Sequence, residues 1–437
     1  NLSFVSKVIE KVVASRLIDH MKENGLLDRM QSAHRSGHST ETALLRVYND
    51  ITRSIDNGNG VYLILLDLSA AFDTVDHQIL LSFLRDHIGL EGHAFNMFQS
   101  YLHDRTQCVS IEGVLSQLCN LAFGVPQGSV LGPIIFCIYT LPLGAILKKH
   151  DVSYHIYADD TQLYCSFNKK SSVNALNSIT ACVSEIRSWM IINNLKINDD
   201  KTEFLQITSS YLKCKVENES LQIGQHTIPT SAYCKSLGVM FDCHLDMTKQ
   251  LNSVSRSCYF HLRNIRAIRH LIPDIAAAQL VHSLVSSRLD YCNSLLYGLP
   301  GCKIKSLQRV QNVAARIVSG CDIRSHITPV LNTLHWLPIK YRIKFKILLM
   351  TYKCMNGLAP EYLCDIIHKQ DANRLRRSAY QHNLVMPRTK LASYGDRSFS
   401  FAAPYEWNQL PNDIKLAPSV TSFKKCLKTY LFKQYFG

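Results

Sequence analysis

Two runs with the alternation of β-strands, Val152-Ser153-Tyr154-His155-Ile156-Tyr157 and Thr161-Gln162-Leu163-Tyr164-Cys165-Ser166-Phe167, are separated only by Ala158, Asp159 and Asp160. Both are rich in the β-branched and aromatic residues that suit strands. So short a link leaves room for little but a tight hairpin, with paired carboxylates at its tip. Asp is common in turns for a local reason, since its side chain bonds nearby backbone, so the tip alone does not decide the chemistry. A second acidic strand end does more. Val61-Tyr62-Leu63-Ile64-Leu65-Leu66 is a continuous apolar run, the mark of a strand buried on both faces, and it delivers Asp67 at its end. Three aspartates from two strands can hold two Mg²⁺ ions, hard cations that take oxygen ligands and share substrate phosphates. Such a pair stabilises the attacking and leaving oxygens of an in-line phosphoryl displacement, so the implied chemistry is nucleotidyl transfer.

Further blocks stand in a fixed order along the chain: Gln31 to Thr40, Leu66-Asp67-Leu68-Ser69-Ala70-Ala71-Phe72-Asp73, Gly124-Val125-Pro126-Gln127-Gly128-Ser129, Tyr157-Ala158-Asp159-Asp160, Asn198 to Glu203, Ser236-Leu237-Gly238-Val239 and Leu334-His335-Trp336-Leu337-Pro338. With this series the chain resembles the reverse transcriptases of non-LTR, LINE-type retrotransposons of the jockey-like kind, over nearly its whole length. One block could arise by chance; an ordered series in matching context is a specific signal. The resemblance implies an α+β fold of the right-hand polymerase type, with fingers, a palm built on an antiparallel sheet, a helical thumb and a C-terminal extension. The expected divisions are 1–60 for partial fingers, 61–244 for the palm with inserted finger elements, 245–320 for the thumb and 321–437 for the extension.

The same resemblance implies an RNA-directed DNA polymerase that extends a DNA primer's 3′-hydroxyl with deoxynucleoside triphosphates on an RNA template. Asp67, Asp159 and Asp160 are its expected catalytic residues. Asp67, Leu68, Asp159 and Asp160 are the expected metal-binding set for two Mg²⁺ ions, with Mn²⁺ as a substitute. Phe72 is expected as an aromatic plate beneath the incoming sugar, where a 2′-hydroxyl would collide, though a Phe at that place also serves as a core anchor. Asp73 reads as a loop brace, Asp being a favoured cap residue. Gln127 and Gly128 are expected beside the new base pair, glycine allowing close backbone approach. A plain Pro-Gly turn with a Ser cap would look the same in isolation. Lys201, after a helix expected over 171–194 and before the strand Glu203 to Ile207, is expected at the triphosphate, where it can neutralise or protonate a leaving pyrophosphate; a solvated surface lysine is the alternative. Arg35 is the better phosphate clamp because its guanidinium offers planar bidentate donors. Here the chain departs from the family, with His34-Arg35-Ser36 in place of Phe-Arg-Pro.

Charge divides the chain. Residues 251–437 hold 27 Lys and Arg against 9 Asp and Glu, a net of +18 within a total of +14, so residues 1–250 are net −4. An acidic half suits a metal site and a basic half suits a polyanion, since phosphate contacts supply most sequence-independent affinity for nucleic acid. In the basic half Leu307, Val310, Ala314 and Ile317 fall on one helical face and Arg309 and Arg316 elsewhere. Arg263, Arg266 and Arg269 repeat at i, i+3 spacing, and Arg374, Arg376 and Arg377 suggest a further basic strip. These arginines are the expected nucleic-acid contacts, Arg263, Arg266, Arg269, Arg309 and Arg316 foremost.

Residues 113–147 carry no Asp, Glu, Lys or Arg, and a helix is expected from Leu131 to about Leu147. Pro126, Pro133 and Pro142 interrupt the run, so a membrane span is not expected. Fifteen cysteines form no C-x-x-C pair and share no zinc spacing with the 18 histidines. Scattered thiols in a reducing, intracellular setting are the expectation, nucleus and cytoplasm being where a retroelement protein acts. The residues from Asn1 match the interior of the family's fingers, so an N-terminally truncated element lacking the upstream finger blocks and endonuclease is expected. Two other readings stay open: a catalytically inactive remnant that binds nucleic acid, and an intron maturase or telomerase-like polymerase, which should lack the Leu-His-Trp-Leu-Pro extension.

Overall fold

In the computed structural model the described residues are 3–69, 72–126, 128–214, 216, 219–224, 226–322, 324–370 and 382–437. Gln127, Arg374, Arg376 and Arg377 lie outside them. Two compact units are present. The first comprises Asn1–Ser36, Tyr62–Phe204 and Asn218–Thr230; the second comprises Gly37–Val61, Leu205–Glu217 and Ser231–Gly437.

Most of the first unit's framework is a four-stranded sheet in the order Glu203–Ile207, Gly60–Leu66, Asp160–Phe167, Ser153–Tyr157. The strand Gly60–Leu66 runs inside this sheet, which is why its sequence is apolar throughout: Tyr62, Leu63 and Ile64 have no exposed surface. Tyr62 stacks on Phe167 with ring centroids 4.0 Å apart and lies 5.5 Å from Phe204, locking the central strand between its neighbours. The two edge-ward strands form the expected hairpin, antiparallel with Tyr157 opposite Asp160. The helix Ser172–Ile192 covers the sheet with Ile179, Val183, Ile186 and Met190.

The helix expected over 131–147 is instead two short helices, Gly132–Tyr139 and Leu143–Lys149. Pro142 has no N–H to continue the ladder, and the chain turns there, Leu141 N–H donating to the Ile138 carbonyl and Leu143 N–H to the Thr140 carbonyl at 3.1 Å each. Among the described residues Gly132–Lys149 is the stretch long and apolar enough to cross a membrane by length and composition, and half of it is buried inside the protein.

The second unit is mainly helical. Helix Gly301–Ser319 buries Leu307, Val310, Ala314 and Ile317, the face read from the sequence, against helix Thr248–Ile268. Helix Ile339–Met355 packs on Phe399–Asn408 and Val420–Phe436, with Tyr352 stacked on Phe423 at 4.2 Å. Helix Thr40–Asp56 joins this unit through long-range bonds, the Asp56 carboxylate accepting from the Lys390 and Leu391 N–H groups at 2.8 and 2.7 Å. Ser236 to Val239 closes a hairpin whose tip, Leu237-Gly238, has positive φ at both residues, as such two-residue turns require.

Within the first unit the loop after Asp67 is clamped to the loop that follows Phe123. Gly124 N–H donates to the Val75 carbonyl at 2.8 Å and Val125 N–H to the Phe72 carbonyl at 2.9 Å. Gly124 has φ of +86°, and a Cβ there would stand 3.0 Å from the Asp73 carbonyl oxygen. Gly124→Ala therefore adds both left-handed strain and a backbone clash, and should destabilise the protein by about 1–3 kcal/mol. Urea unfolding of the two proteins checks this; a loss below about 0.5 kcal/mol would mean the two loops are not clamped.

Candidate active site

Asp67 ends the strand Gly60–Leu66, while Asp159 and Asp160 sit at the hairpin tip on the neighbouring side of the sheet. Ala158 adopts φ of +56°, an uncommon conformation for a residue with a Cβ, and it makes the two-residue turn that presents Asp159. The turn is braced from outside: Gln31 Oε1 accepts from the Ala158 N–H at 3.2 Å and from the Ala33 N–H at 3.0 Å. Segment 30–32 is bonded to the hairpin's edge, Ile156 N–H donating to the Met30 carbonyl and Ser32 N–H to the Ile156 carbonyl, each at 3.0 Å. Ser32 Oγ and the fully buried His155 Nε2 lie 2.8 Å apart beneath it. Sequence reading quoted Gln31 within a block but gave it no role; its burial and two backbone partners show one.

The carboxylates act on one another. Partial burial, then the like charges of Asp159 and Asp67, push the Asp160 carboxyl above its usual range. Asp67 Oδ2 is buried and accepts no hydrogen bond, although Lys201 Nζ stands 3.5 Å away. Lys201 reaches that place because Leu68-Ser69 pairs antiparallel with Lys196-Ile197, and Asn198 N–H donates to the Asp67 carbonyl at 2.8 Å. No periodicity in the sequence announced this short pairing. Leu68 is buried and apolar, so only its carbonyl could serve as a ligand.

Among the described residues no three His, Cys, Asp or Glu side chains form a complete metal-binding group. A buried carboxylate oxygen that accepts no hydrogen bond, beside two further carboxylates, nevertheless fits a hard cation, particularly one that keeps water and shares substrate oxygens. Reverse transcriptases generally use divalent metal ions, and the donors here are the oxygen type such ions take.

Phe72 is half-buried and packs on Phe136, ring centroids 4.9 Å apart. Gly128 has φ of +82° with open space where a Cβ would be. Ser129 Oγ accepts from the Gly132 N–H at 2.7 Å, the expected cap, and Glu10 adds a second, its Oε2 accepting from the Val130 and Leu131 N–H groups at 2.6 and 3.1 Å. Arg35 Nη1 donates to the Asp28 and Gln31 carbonyls at 2.7 and 2.9 Å. Arg35 and Asp159 flank Cys137: burial and then Asp159 push its thiol up to about 12, with Arg35 opposing. In the second unit Arg263, Arg266 and Arg309 are exposed. Arg269 is half-buried, its guanidinium donating to the carbonyls of Ile317, Ile272 and Val318 and to Asp274. Arg316 donates to the Ser325 carbonyl at 3.1 Å.

Crowded like charges predict a stability effect. At pH above its raised pKa the Asp160 carboxylate is held ionised against its neighbours, so Asp160→Asn should raise Tm by about a degree. The gain should vanish as pH falls through that raised pKa, because Asp160 is then protonated and uncharged. Thermal scans of both proteins at mildly acid and alkaline pH check this; a lower Tm for the variant at alkaline pH would contradict mutual repulsion.

Residues 1–241 match the family described as Reverse transcriptase (RNA-dependent DNA polymerase). The chain is 28% identical over 335 residues to the probable RNA-directed DNA polymerase from transposon X-element of Drosophila melanogaster, covering 74% of this chain and 35% of that protein. To the RNA-directed DNA polymerase from mobile element jockey of the same organism it is 25% identical over 261 residues, covering 59% and 28%. It thus spans about a third of the length of the curated relatives it matches. Among solved structures, apo telomerase from Candida Tropicalis aligns with a TM-score of 0.42 at 14% identity, covering 71% of this chain and 50% of that one. With the family match extending over more than half of its 437 residues, the chain belongs to the reverse transcriptase family.

Proposed function

We propose that this chain is the polymerase region of a non-LTR retrotransposon, extending a DNA primer's 3′-hydroxyl with deoxynucleoside triphosphates on an RNA template. The observation that carries the reading is the crowding of Asp67, Asp159 and Asp160, with one buried carboxylate oxygen that accepts no hydrogen bond. Asp67 and Asp159 would hold two Mg²⁺ ions, or Mn²⁺ in their place, with Asp160 and the Leu68 carbonyl assisting. Such ions, when bound, stabilise the attacking and leaving oxygens of the displacement.

The chain's own groups position the reactants. Lys201, beside Asp67, would meet a triphosphate and neutralise or protonate the departing pyrophosphate. Phe72, backed by Phe136, presents a flat wall to the incoming sugar. Gly128 leaves open backbone past which a base pair can slide, and the planar Arg35 guanidinium is the candidate phosphate clamp. The exposed Arg263, Arg266 and Arg309 would follow a template–primer backbone, and on this reading residues 245–320 serve as the thumb. An intracellular site of action, in nucleus and cytoplasm, accompanies this reading.

Primer extension on a homopolymer RNA template tests it. Asp159→Asn should abolish extension while leaving hybrid affinity within about twofold, because phosphate binding rests on the basic arginines. Extension that persists in the variant would contradict the mechanism. Phe72→Ala should raise ribonucleotide incorporation relative to deoxyribonucleotide; an unchanged ratio would reduce Phe72 to a packing residue.

A further inference from the structure

A cavity of about 540 Å³ opens in the second unit, beside the Leu334-His335-Trp336-Leu337-Pro338 block. Its volume falls in the range, roughly 300–1,000 Å³, of sites that take small organic groups. Three features of its lining point to one kind of ligand.

The first is unbalanced positive charge. Arg342 and Lys346 line the cavity but are paired, Arg342 with Asp290 and Lys346 with Glu41 at 3.0 Å. Lys424 and Lys428, one turn apart on helix Val420–Phe436, also line it, and among the described residues no carboxylate pairs with either. The crowding reaches their neighbours. Burial, then Lys424 and Lys346, lower the Lys353 pKa despite Glu41. Burial, then Arg342, lower that of His282, where Lys428 acts in the same direction and Asp290 opposes. Cations gathered without matching anions are stabilised by an anionic ligand.

The second is an acceptor with nothing to accept from. Asn293 is 2% exposed and lines the cavity. Its Nδ2 donates to Asp290 Oδ1 at 3.3 Å, which fixes which end of the amide is which, and its Oδ1 has no hydrogen-bond partner. A phosphate oxygen cannot satisfy an acceptor; an N–H can, and because Oδ1 itself has no free surface the amide must turn toward the cavity to meet one. The third is an aromatic pair, with the His282 ring exposed. Trp336, 7% exposed, lines the cavity with the His282 ring edge-on to it at 5.3 Å. His282 opens a π-helical turn, His282–Ser286, and His335 holds φ of +52°. Both are uncommon backbone states that tend to gather at functional sites.

We propose that this cavity is a binding site for one nucleotide of a single-stranded nucleic acid, with the base on the exposed His282 ring beside Trp336, a base N–H on Asn293 Oδ1, and adjoining phosphates on Lys424 and Lys428. Aromatic faces with flanking cations are how single strands are held without sequence preference. The choice of a nucleic acid over an acidic peptide rests on the polymerase reading above; the cavity itself is independent of the aspartate site.

The test is fluorescence anisotropy on the full chain in EDTA, so that failure of catalysis cannot affect the result. The probes are a short single-stranded RNA and a DNA of the same sequence, with inorganic polyphosphate and oligoglutamate of equal charge as competitors. Lys424→Ala/Lys428→Ala, on an exposed helix where Ala is well tolerated, should weaken strand binding about tenfold or more. It should also flatten the dependence of log affinity on log salt by roughly 1.4, for two released phosphate contacts. The exposed pair Lys169→Ala/Lys170→Ala should change affinity less than about twofold. Both competitors should displace the strand at least about tenfold less well than unlabelled RNA. Whether RNA or DNA binds more tightly identifies the strand. Equal losses from the two lysine pairs would reduce the effect to diffuse surface charge, and equal displacement by polyphosphate or oligoglutamate would remove the base or select an acidic partner; each result overturns the proposal.

Discussion

Like charges repel, yet the first unit holds three carboxylates within reach of one another at one end of a sheet. Asp67 is fixed by the end of a central strand with no freedom to swing away, and Asp159 and Asp160 by a two-residue turn that forces Ala158 into positive φ. The raised pKa of Asp160 and the Asp67 oxygen that accepts no hydrogen bond are consequences of that placement. A protein selected for stability alone would separate such groups or pair each with a cation. One lysine, Lys201, comes close, and its side chain remains 69% exposed, a weak screen that can move aside.

What enforces the arrangement is a set of backbone bonds made by side chains far away in sequence. Gln31 holds the turn, Ser32 and His155 hold the strand beneath it, and Glu10 caps the chain at Val130 and Leu131 so that the Gly124–Ser129 loop ends at a fixed place. Gly124 then ties that loop to the residues following Asp67. Such ties exclude relaxation, and without them the carboxylates would drift apart. Rigid support of this kind is what preorganises a charged site before substrate arrives.

Much of this was legible in the chain. The strands at 61–67, 152–157, 161–167 and 203–207 announced themselves by composition and alternation, and the buried face of Gly301–Ser319 by its helical spacing, because both periodicities are local. Pro142 divides the single helix expected from Leu131 to about Leu147, because its missing N–H breaks the ladder there. Pairings between distant segments carried no local signal. Leu68-Ser69 with Lys196-Ile197 is two residues long, and helix Thr40–Asp56 is drawn into the second unit by bonds from Asp56 to residues more than 300 positions away. Arg269 looked like a phosphate contact by its spacing with Arg263 and Arg266, but spacing cannot reveal that the carbonyls of Ile317 and Val318 take its donors. The cavity beside Trp336 was equally hidden, since its cations come from two helices, Ile339–Met355 and Val420–Phe436, far apart in the chain.

The central claim is that Asp67 and the Tyr157–Asp160 turn form one cation site. Substituting Fe²⁺ for Mg²⁺ and adding ascorbate and peroxide generates short-lived radicals that cut backbone beside the bound metal. Peptide mapping should find cuts next to Asp67 and next to Asp159-Asp160, both suppressed by excess Mg²⁺. Cutting at only one of the two, or cuts elsewhere that Mg²⁺ suppresses, would contradict a shared site.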